Sequence, residues 1–123
     1  MKSEFLTRAE LRHEPLTRKW EVIKPLIYLS ALLENTVTVP RGFETDLASI
    51  PAIARGIIDP EAPCILEASI VHDRLYTKSG AGVTRAQADS VLAEAMRVLG
   101  APEWKITLVW AAVRLFGGAH WIE

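Results

Sequence analysis

The segments of this chain that favour β-strands all precede the segments that favour helices. β-branched and aromatic residues alternate in part through residues 16–33 and recur at 36–39, whereas apolar residues return at helical spacing beyond residue 50. Strands that precede all the helices pair with one another, and the helices then cover the sheet. We therefore predict an α+β fold, with a small N-terminal antiparallel β-sheet followed by a bundle of three main helices plus a short helix.

Local start and stop signals delimit the helical segments. A largely apolar stretch over residues 61–76 predicts the first main helix, and Thr84 begins a capping-box pattern that opens the second. Gly100 is suited to end that second helix, and Pro102 is suited to the first turn of a third. A short helix is expected over residues 52–58, before the three main ones.

Length and composition favour a single domain. The chain has 123 residues, half of them hydrophobic, and a net charge of −1, which is typical of a globular protein with one core. Residues 1–123 are predicted to form one domain, β-rich over about 1–40 and helical over about 50–118. The lack of a basic excess argues against nucleic-acid binding. No apolar run reaches the roughly 18 residues of a transmembrane helix, and the N-terminus does not resemble a signal peptide.

The sequence also predicts which tryptophans and which apolar residues of the third helix contribute to the core. Trp20, Trp104 and Trp110 are expected to be buried or partly buried, as large aromatic side chains usually are. Trp121 is expected to anchor the C-terminal tail by packing. The third helix is predicted to bury an apolar stripe that consists of Leu108, Val109, Ala112, Val113 and Phe116.

A histidine, two carboxylates and a phenol are placed where they can converge across two helices. His72 and Tyr76 share a helix face because they are four residues apart, while Asp73 points about 100° away. The short connection after Tyr76 returns the chain, so that Asp89 lies near the level of His72. Asp89 would then orient the imidazole as a general base, in a site open to solvent on one side. Asp73 is left to hold a hard cation through oxygen, and Arg85 is an alternative partner for Asp89.

A purely structural interpretation of the same residues stays open. A His/Asp/Tyr network between two helices can simply satisfy buried polar groups. The turn around Thr45 and Asp46 has a similar alternative, because Asp46 or Ser49 can cap a following helix without any further purpose.

Several motifs spread along the chain resemble those of a protein family of unknown function from phages and prophages. They are G-F-x-T-D-x-A-S-I-P at 42–51, H-D-x-L-Y at 72–76, R-x-x-A-D at 85–89 and A-V-R-x-F-G-G at 112–118. The resemblance covers residues 39–121 and implies a tailed-phage or prophage origin, with no established activity. It implies synthesis in the bacterial host cytoplasm without a signal peptide, followed by incorporation in the virion or release at lysis. Other phage structural proteins or a bacterial envelope component are the implied partners.

Residues 68–96 alone also resemble the phospholipase A-two enzymes, which carry a His-Asp-x-x-Tyr helix and a later aspartate on a second helix. By this resemblance His72 activates water, Asp89 and Tyr76 orient it, and Asp73 binds Ca²⁺. The disulfides and the glycine-rich calcium loop of that family are absent here. The segment 42–49, with Thr45, Asp46 and Ser49, is the candidate replacement for the loop.

Two functions follow as expectations. The first is a small phage-encoded hydrolase that acts on an envelope lipid or a cell-wall component, with the metal dependence that the resemblance to the phospholipases implies. The second is a non-catalytic virion component, at the tail or neck, or an assembly factor of a tailed phage.

Overall fold

The strands of this protein precede its helices, and the predicted α+β class is confirmed. The structure is a computed structural model that describes residues 1–47, 51, 59, 61–77 and 82–121. Ser49 and the short helix expected over 52–58 lie outside the described residues. No helix in the described ranges is long and apolar enough to cross a membrane.

The strands form two small antiparallel sheets in the described part of the chain, where one had been predicted. The first sheet has the order β1-β4-β5 and the second the order β2-β3-β6. Pro25 separates β3 from β4, which belong to different sheets, and a proline has no N–H with which to continue a ladder from one strand to the next. The strands are β1 (Glu4–Phe5), β2 (Leu11–Glu14), β3 (Lys19–Val22), β4 (Leu26–Ser30), β5 (Asn35–Val39) and β6 (Glu44–Thr45).

Three α-helices follow among the described residues: α1 (Leu66–Leu75), α2 (Arg85–Val98) and α3 (Glu103–Phe116). The capping box at Thr84 is present, with both of its hydrogen bonds to Gln87. Gly100 has φ +87°, the left-handed conformation that suits a glycine after a helix. A 3₁₀-helix at Gly117–His120 continues α3.

Polar links tie the sheets to the helices around the apolar core. Tyr28 on β4 donates a 2.7 Å hydrogen bond to Glu94 on α2, and Glu94 also accepts from the backbone N–H of Leu32. At the other end, the Glu67 carboxylate on α1 accepts from the Arg8 guanidinium and from the backbone N–H of Ala9. Each link supplies hydrogen-bond donors to a carboxylate at the edge of the core. It thereby fixes the position of the helix relative to the strand-forming part of the chain.

The packing of α3 differs from the sequence prediction. Val109, Ala112 and Val113 are buried, but Phe116 is 56% exposed and Leu108 only half-buried. The described fold covers one side of a helix whose apolar residues run around most of its circumference. Two tryptophans that were expected to be buried or partly buried lie on the uncovered side, since Trp104 is 59% and Trp110 40% exposed.

The other two tryptophans behave as expected. Trp20 on β3 is half-buried. Trp121 packs edge-on against Tyr76 with ring centroids 5.2 Å apart, so the C-terminal tail is held against the end of α1.

Candidate functional site

The contact predicted between α1 and α2 is present. His72 Nε2 lies 2.8 Å from Asp89 Oδ1, and the Tyr76 hydroxyl donates to the same oxygen at 2.5 Å. His72 and Tyr76 are four residues apart, so both lie on the face of α1 that meets α2. The centroids of their rings are 4.2 Å apart. One carboxylate oxygen therefore holds both side chains.

Arginine side chains from two helices complete this cluster, and the sequence had assigned only one of them. Arg114 on α3 donates to Asp89 Oδ2 at 2.7 Å. Arg85, which was considered as a partner for Asp89, instead donates to the Tyr76 hydroxyl at 3.2 Å and to the backbone carbonyls of Val113 and Arg114. The network thus joins α1, α2 and α3, and Arg85 adds a side-chain donor to backbone carbonyls at the C-terminal end of α3.

Electrostatics favour the charged form of Asp89 and the neutral form of Tyr76. Burial by itself would raise the pKa of Asp89, but hydrogen bonds from His72, Tyr76 and Arg114 outweigh it and hold that pKa below its ordinary value. Burial, together with the neighbouring Asp89 carboxylate, raises the pKa of Tyr76. Asp89 is therefore a carboxylate that accepts from three side chains at neutral pH.

The site is closed, which contradicts the expectation that it would be open to solvent on one side. His72 and Asp89 have no exposed surface, and Tyr76 is 1% exposed. The C-terminal segment supplies part of the reason, because Trp121 packs on Tyr76 and Gly117 approaches it closely. A Cβ atom added at Gly117 would lie 3.3 Å from the Tyr76 hydroxyl, so the backbone comes nearer there than a side chain would readily permit.

The turn after β6 is held against α1 by Asp73. The Thr45 hydroxyl donates to Asp73 Oδ2 and accepts from the backbone N–H of Leu47 at 2.9 Å. Leu47 is buried and adopts φ +64°, a left-handed conformation that costs a non-glycine residue roughly 1–2 kcal/mol. The hydrogen bond between Thr45 and Asp73 thus holds a strained turn against α1. Asp73 is the residue that follows His72 in the sequence. Backbone strain of this kind is often found near functional sites.

The described residues do not by themselves fit a calcium ion. Ca²⁺ takes six to eight oxygen ligands in proteins, but no group of three His, Cys, Asp or Glu side chains converges within the described ranges. One Asp73 oxygen already accepts from Thr45, and Asp46 is exposed. Ser49 belongs to the residues that are not described. The roles of Asp73 and Asp46 as metal ligands therefore remain predictions.

Two features near the cluster were missed at the level of sequence. Arg114 stands within the A-V-R-x-F-G-G motif, and a charged residue in an otherwise apolar stretch of helix was the available signal for a carboxylate partner. Ser69, one turn before His72 on α1, is fully buried, and its hydroxyl has no hydrogen-bond partner among the described residues. No pattern in the sequence distinguishes that serine from an ordinary small residue of the helix.

The two buried carboxylates predict a loss of stability in acid. Hydrogen bonds lower the pKa of Asp89 and of Glu67 against the opposing effect of burial, from ordinary values of 3.8 and 4.5. As the pH falls, these carboxylates therefore bind protons in the unfolded chain before they do so in the folded protein. The free energy of unfolding decreases as the pH drops through the ordinary pKa values and on through the lower pKa values of the folded state. Each group contributes a slope of at most about 1.4 kcal/mol per pH unit. Urea unfolding at several pH values between neutral and pH 3 measures this pH dependence of the free energy of unfolding.

A matched variant separates the two groups in that experiment. Glu67→Gln removes one titrating carboxylate and leaves Asp89 in place, so the pH dependence of its unfolding free energy should be shallower than that of the wild type. Equal slopes for the two proteins would contradict the assignment of acid sensitivity to Glu67.

Comparison with known proteins identifies a family but no activity. No curated protein and no solved structure matches the chain. The sequence matches the family described as "Protein of unknown function (DUF1353)" over residues 20–113, which include all the residues of the His72 cluster except Arg114. This agrees with the expected resemblance to an uncharacterised family, while the phage origin remains a prediction. Because the match spans most of its length, the chain belongs to the DUF1353 family.

Proposed function

We propose that this protein is a phage-encoded hydrolase in which His72 acts as the general base. The observation that carries the proposal is the binding of His72 Nε2 and the Tyr76 hydroxyl to one oxygen of Asp89. A general base needs a ring held in one orientation and one tautomer, and a carboxylate acceptor on one ring nitrogen supplies both. An envelope lipid ester is the proposed substrate class, with a cell-wall component as the other option.

The chemical steps follow from the charge of each group. Because Asp89 is a carboxylate, Nε2 of a neutral His72 ring carries the proton and Nδ1 is the basic nitrogen. In an open state that admits substrate, Nδ1 takes a proton from water as the water oxygen attacks the ester carbonyl. Asp89 stabilises the imidazolium that results, and His72 then returns the proton to the departing alcohol as the tetrahedral intermediate collapses. Tyr76 and Arg114 keep the Asp89 carboxylate in place throughout.

One requirement accompanies this mechanism. His72 is enclosed in the structure, so catalysis requires an open state that admits substrate and water. Calcium is proposed only by resemblance to the phospholipases, with Asp73 and Asp46 as its ligands, and no step above depends on it.

Hydrolysis assays on separate substrate classes test the proposal. Purified protein is incubated with phospholipid vesicles, with short-chain fluorogenic esters and with purified peptidoglycan, each in the presence of Ca²⁺ and of a chelator. Release of fatty acid or alcohol is expected, and loss of that release in chelator would support the metal. Failure to turn over any substrate in either condition would remove the hydrolase from consideration.

A second candidate function is a non-catalytic virion or assembly component, with other phage proteins as partners. Its support is the complete enclosure of His72 and Asp89 together with the ion pair between Asp89 and Arg114, because such a network also serves to fix three helices relative to one another. Mass spectrometry of purified particles tests the virion role. Absence of the protein from the particles would contradict it.

A further inference from the structure

A cleft of about 430 Å³ lies between β5, the C-terminal end of α1 and the start of α2. A cleft of this size is large enough for a small organic ligand. Residues 35–38, which are consecutive on β5, line it together. Successive side chains of a strand point to opposite faces, so a cleft that touches four residues in a row runs along the edge of the strand. β5 is the last strand of its sheet in the described part of the chain, and its edge therefore offers backbone polar groups to a ligand.

The charge of this cleft comes from Arg74, since no other residue in the described part of its lining is charged. Arg74 is half-buried in the last turn of α1. Its guanidinium carbon lies 5.7 Å from the centroid of the Phe43 ring. Contact with an aromatic face orients a guanidinium without using its N–H donors in hydrogen bonds. Arg74 thus brings an oriented cation to the cleft.

The other half-buried arginines of the described chain have hydrogen-bond acceptors. Arg114 donates to the Asp89 carboxylate, and Arg85 donates to the Tyr76 hydroxyl and to two backbone carbonyls. A guanidinium that has lost part of its hydration is costly to bury unless acceptors replace the water. No acceptor within the described ranges plays this part for Arg74, so an oxyanion in the cleft would supply what the fold gives to the other two.

The rest of the lining is amphipathic. Val37 and Leu75 are 7% and 3% exposed and form an apolar floor, with Leu33 and Val83 half-buried beside them. The cleft is also lined by exposed polar side chains, namely Asn35, Thr36, Thr38 and Gln87. A ligand that fits this lining carries an anionic group at one end and an apolar body next to it.

We propose that the cleft binds a small amphiphilic anion, with its carboxylate or phosphate on Arg74 and its apolar body over Val37 and Leu75. The planar fork of an arginine pairs with two oxygen atoms at once, and both anionic groups present such a pair. Arg74 is two residues beyond His72, which places it about 200° around α1. The cleft is therefore distinct from the His72 cluster, and the proposal does not depend on hydrolysis.

An NMR titration of isotope-labelled protein tests the site. The probes are octanoate and octyl phosphate, with acetate and inorganic phosphate for comparison, all below the concentration at which micelles form. Saturable shifts are expected at the backbone amides of residues 35–38, Val83 and Gln87. Octanoate should bind roughly tenfold or more tightly than acetate, because several of its methylene groups leave water. The tighter of the two amphiphiles identifies the preferred anionic group.

Two arginine variants test the role of the charge. Arg74→Gln removes the cation and should weaken the binding of octanoate roughly tenfold or more, since hydrogen bonds to a charged donor are the strong ones. Arg18→Gln is the matched control, because Arg18 is exposed in the β2–β3 turn and does not line the cleft, and this variant should keep the affinity of the wild type. The NMR spectra confirm that both variants are folded.

Four results would overturn the proposal. They are the absence of saturable shifts with both amphiphiles, equal affinity of Arg74→Gln and Arg18→Gln for octanoate, and binding of octanoate that is no tighter than that of acetate. The fourth is a set of shifts centred on the exposed Trp104 and Leu115 of α3, because octanoate would then bind an apolar surface as a detergent does.

Discussion

Asp89→Ala is expected to lower the free energy of unfolding by about 3–5 kcal/mol, the cost of removing one partner from a buried charged network. Asp89 accepts from His72, Tyr76 and Arg114, so the substitution removes the acceptor that these three side chains share. Without the carboxylate, the Arg114 guanidinium is left beside a cavity and the Tyr76 hydroxyl loses its acceptor. Guanidinium-induced unfolding, followed by circular dichroism, measures the change.

Two further variants calibrate that result. Asp89→Asn keeps the shape and one acceptor oxygen, so we expect the intermediate loss of about 1–3 kcal/mol that follows an imperfectly satisfied buried group. Glu44→Ala removes an exposed carboxylate on β6 and should change stability by less than about 0.5 kcal/mol. If Asp89→Ala were as stable as Glu44→Ala, the network would not hold the helices together, and the site would be better explained as one optimised for activity at the expense of stability.

His72→Gln is expected to reduce the turnover number for hydrolysis by about 10²–10⁴-fold, the usual contribution of a general base. The glutamine amide can still donate a hydrogen bond to Asp89, but it cannot accept a proton from water. The variant should therefore remain folded, with a much smaller loss of stability than Asp89→Ala. Initial rates on the substrate identified for the wild type, measured beside a thermal melt, give both quantities.

His13→Gln is the matched control for this experiment. His13 is exposed on β2, where its ring packs on Trp20 at a centroid distance of 4.5 Å, far along the chain from the α1–α2 contact. Its replacement should leave turnover unchanged. A His72→Gln protein that is folded and as active as the His13→Gln protein would show that His72 is not the base, and the cluster would then have a structural function only.

Local sequence signals predicted much of the fold. The order of strand and helix patterns led to the α+β class, and the bounds of α2 followed from Thr84 and Gly100, because caps and glycine turns depend on only a few neighbouring residues. The contact between His72 and Asp89 also followed from local information. Helical spacing and a short connection leave little freedom in how two consecutive helices meet.

The remaining features depend on residues that are distant in sequence. Arg114 reaches Asp89 from 25 positions away, Thr45 meets Asp73 across 28, and neither pair has a spacing rule that would reveal it. The closure of the site was likewise decided by packing, since Gly117 and Trp121 cover Tyr76 only after α3 has docked.

The sequence alone thus determined the order of strands and helices, the bounds of α2 and the contact between His72 and Asp89, because those outcomes depend on short-range geometry. Only the tertiary structure decided that the cluster is enclosed and that the apolar side of α3 bearing Trp104 and Leu115 faces outward. Burial depends on what the rest of the chain places over each surface, and a helix that is apolar on most sides carries no local signal of which side will be covered.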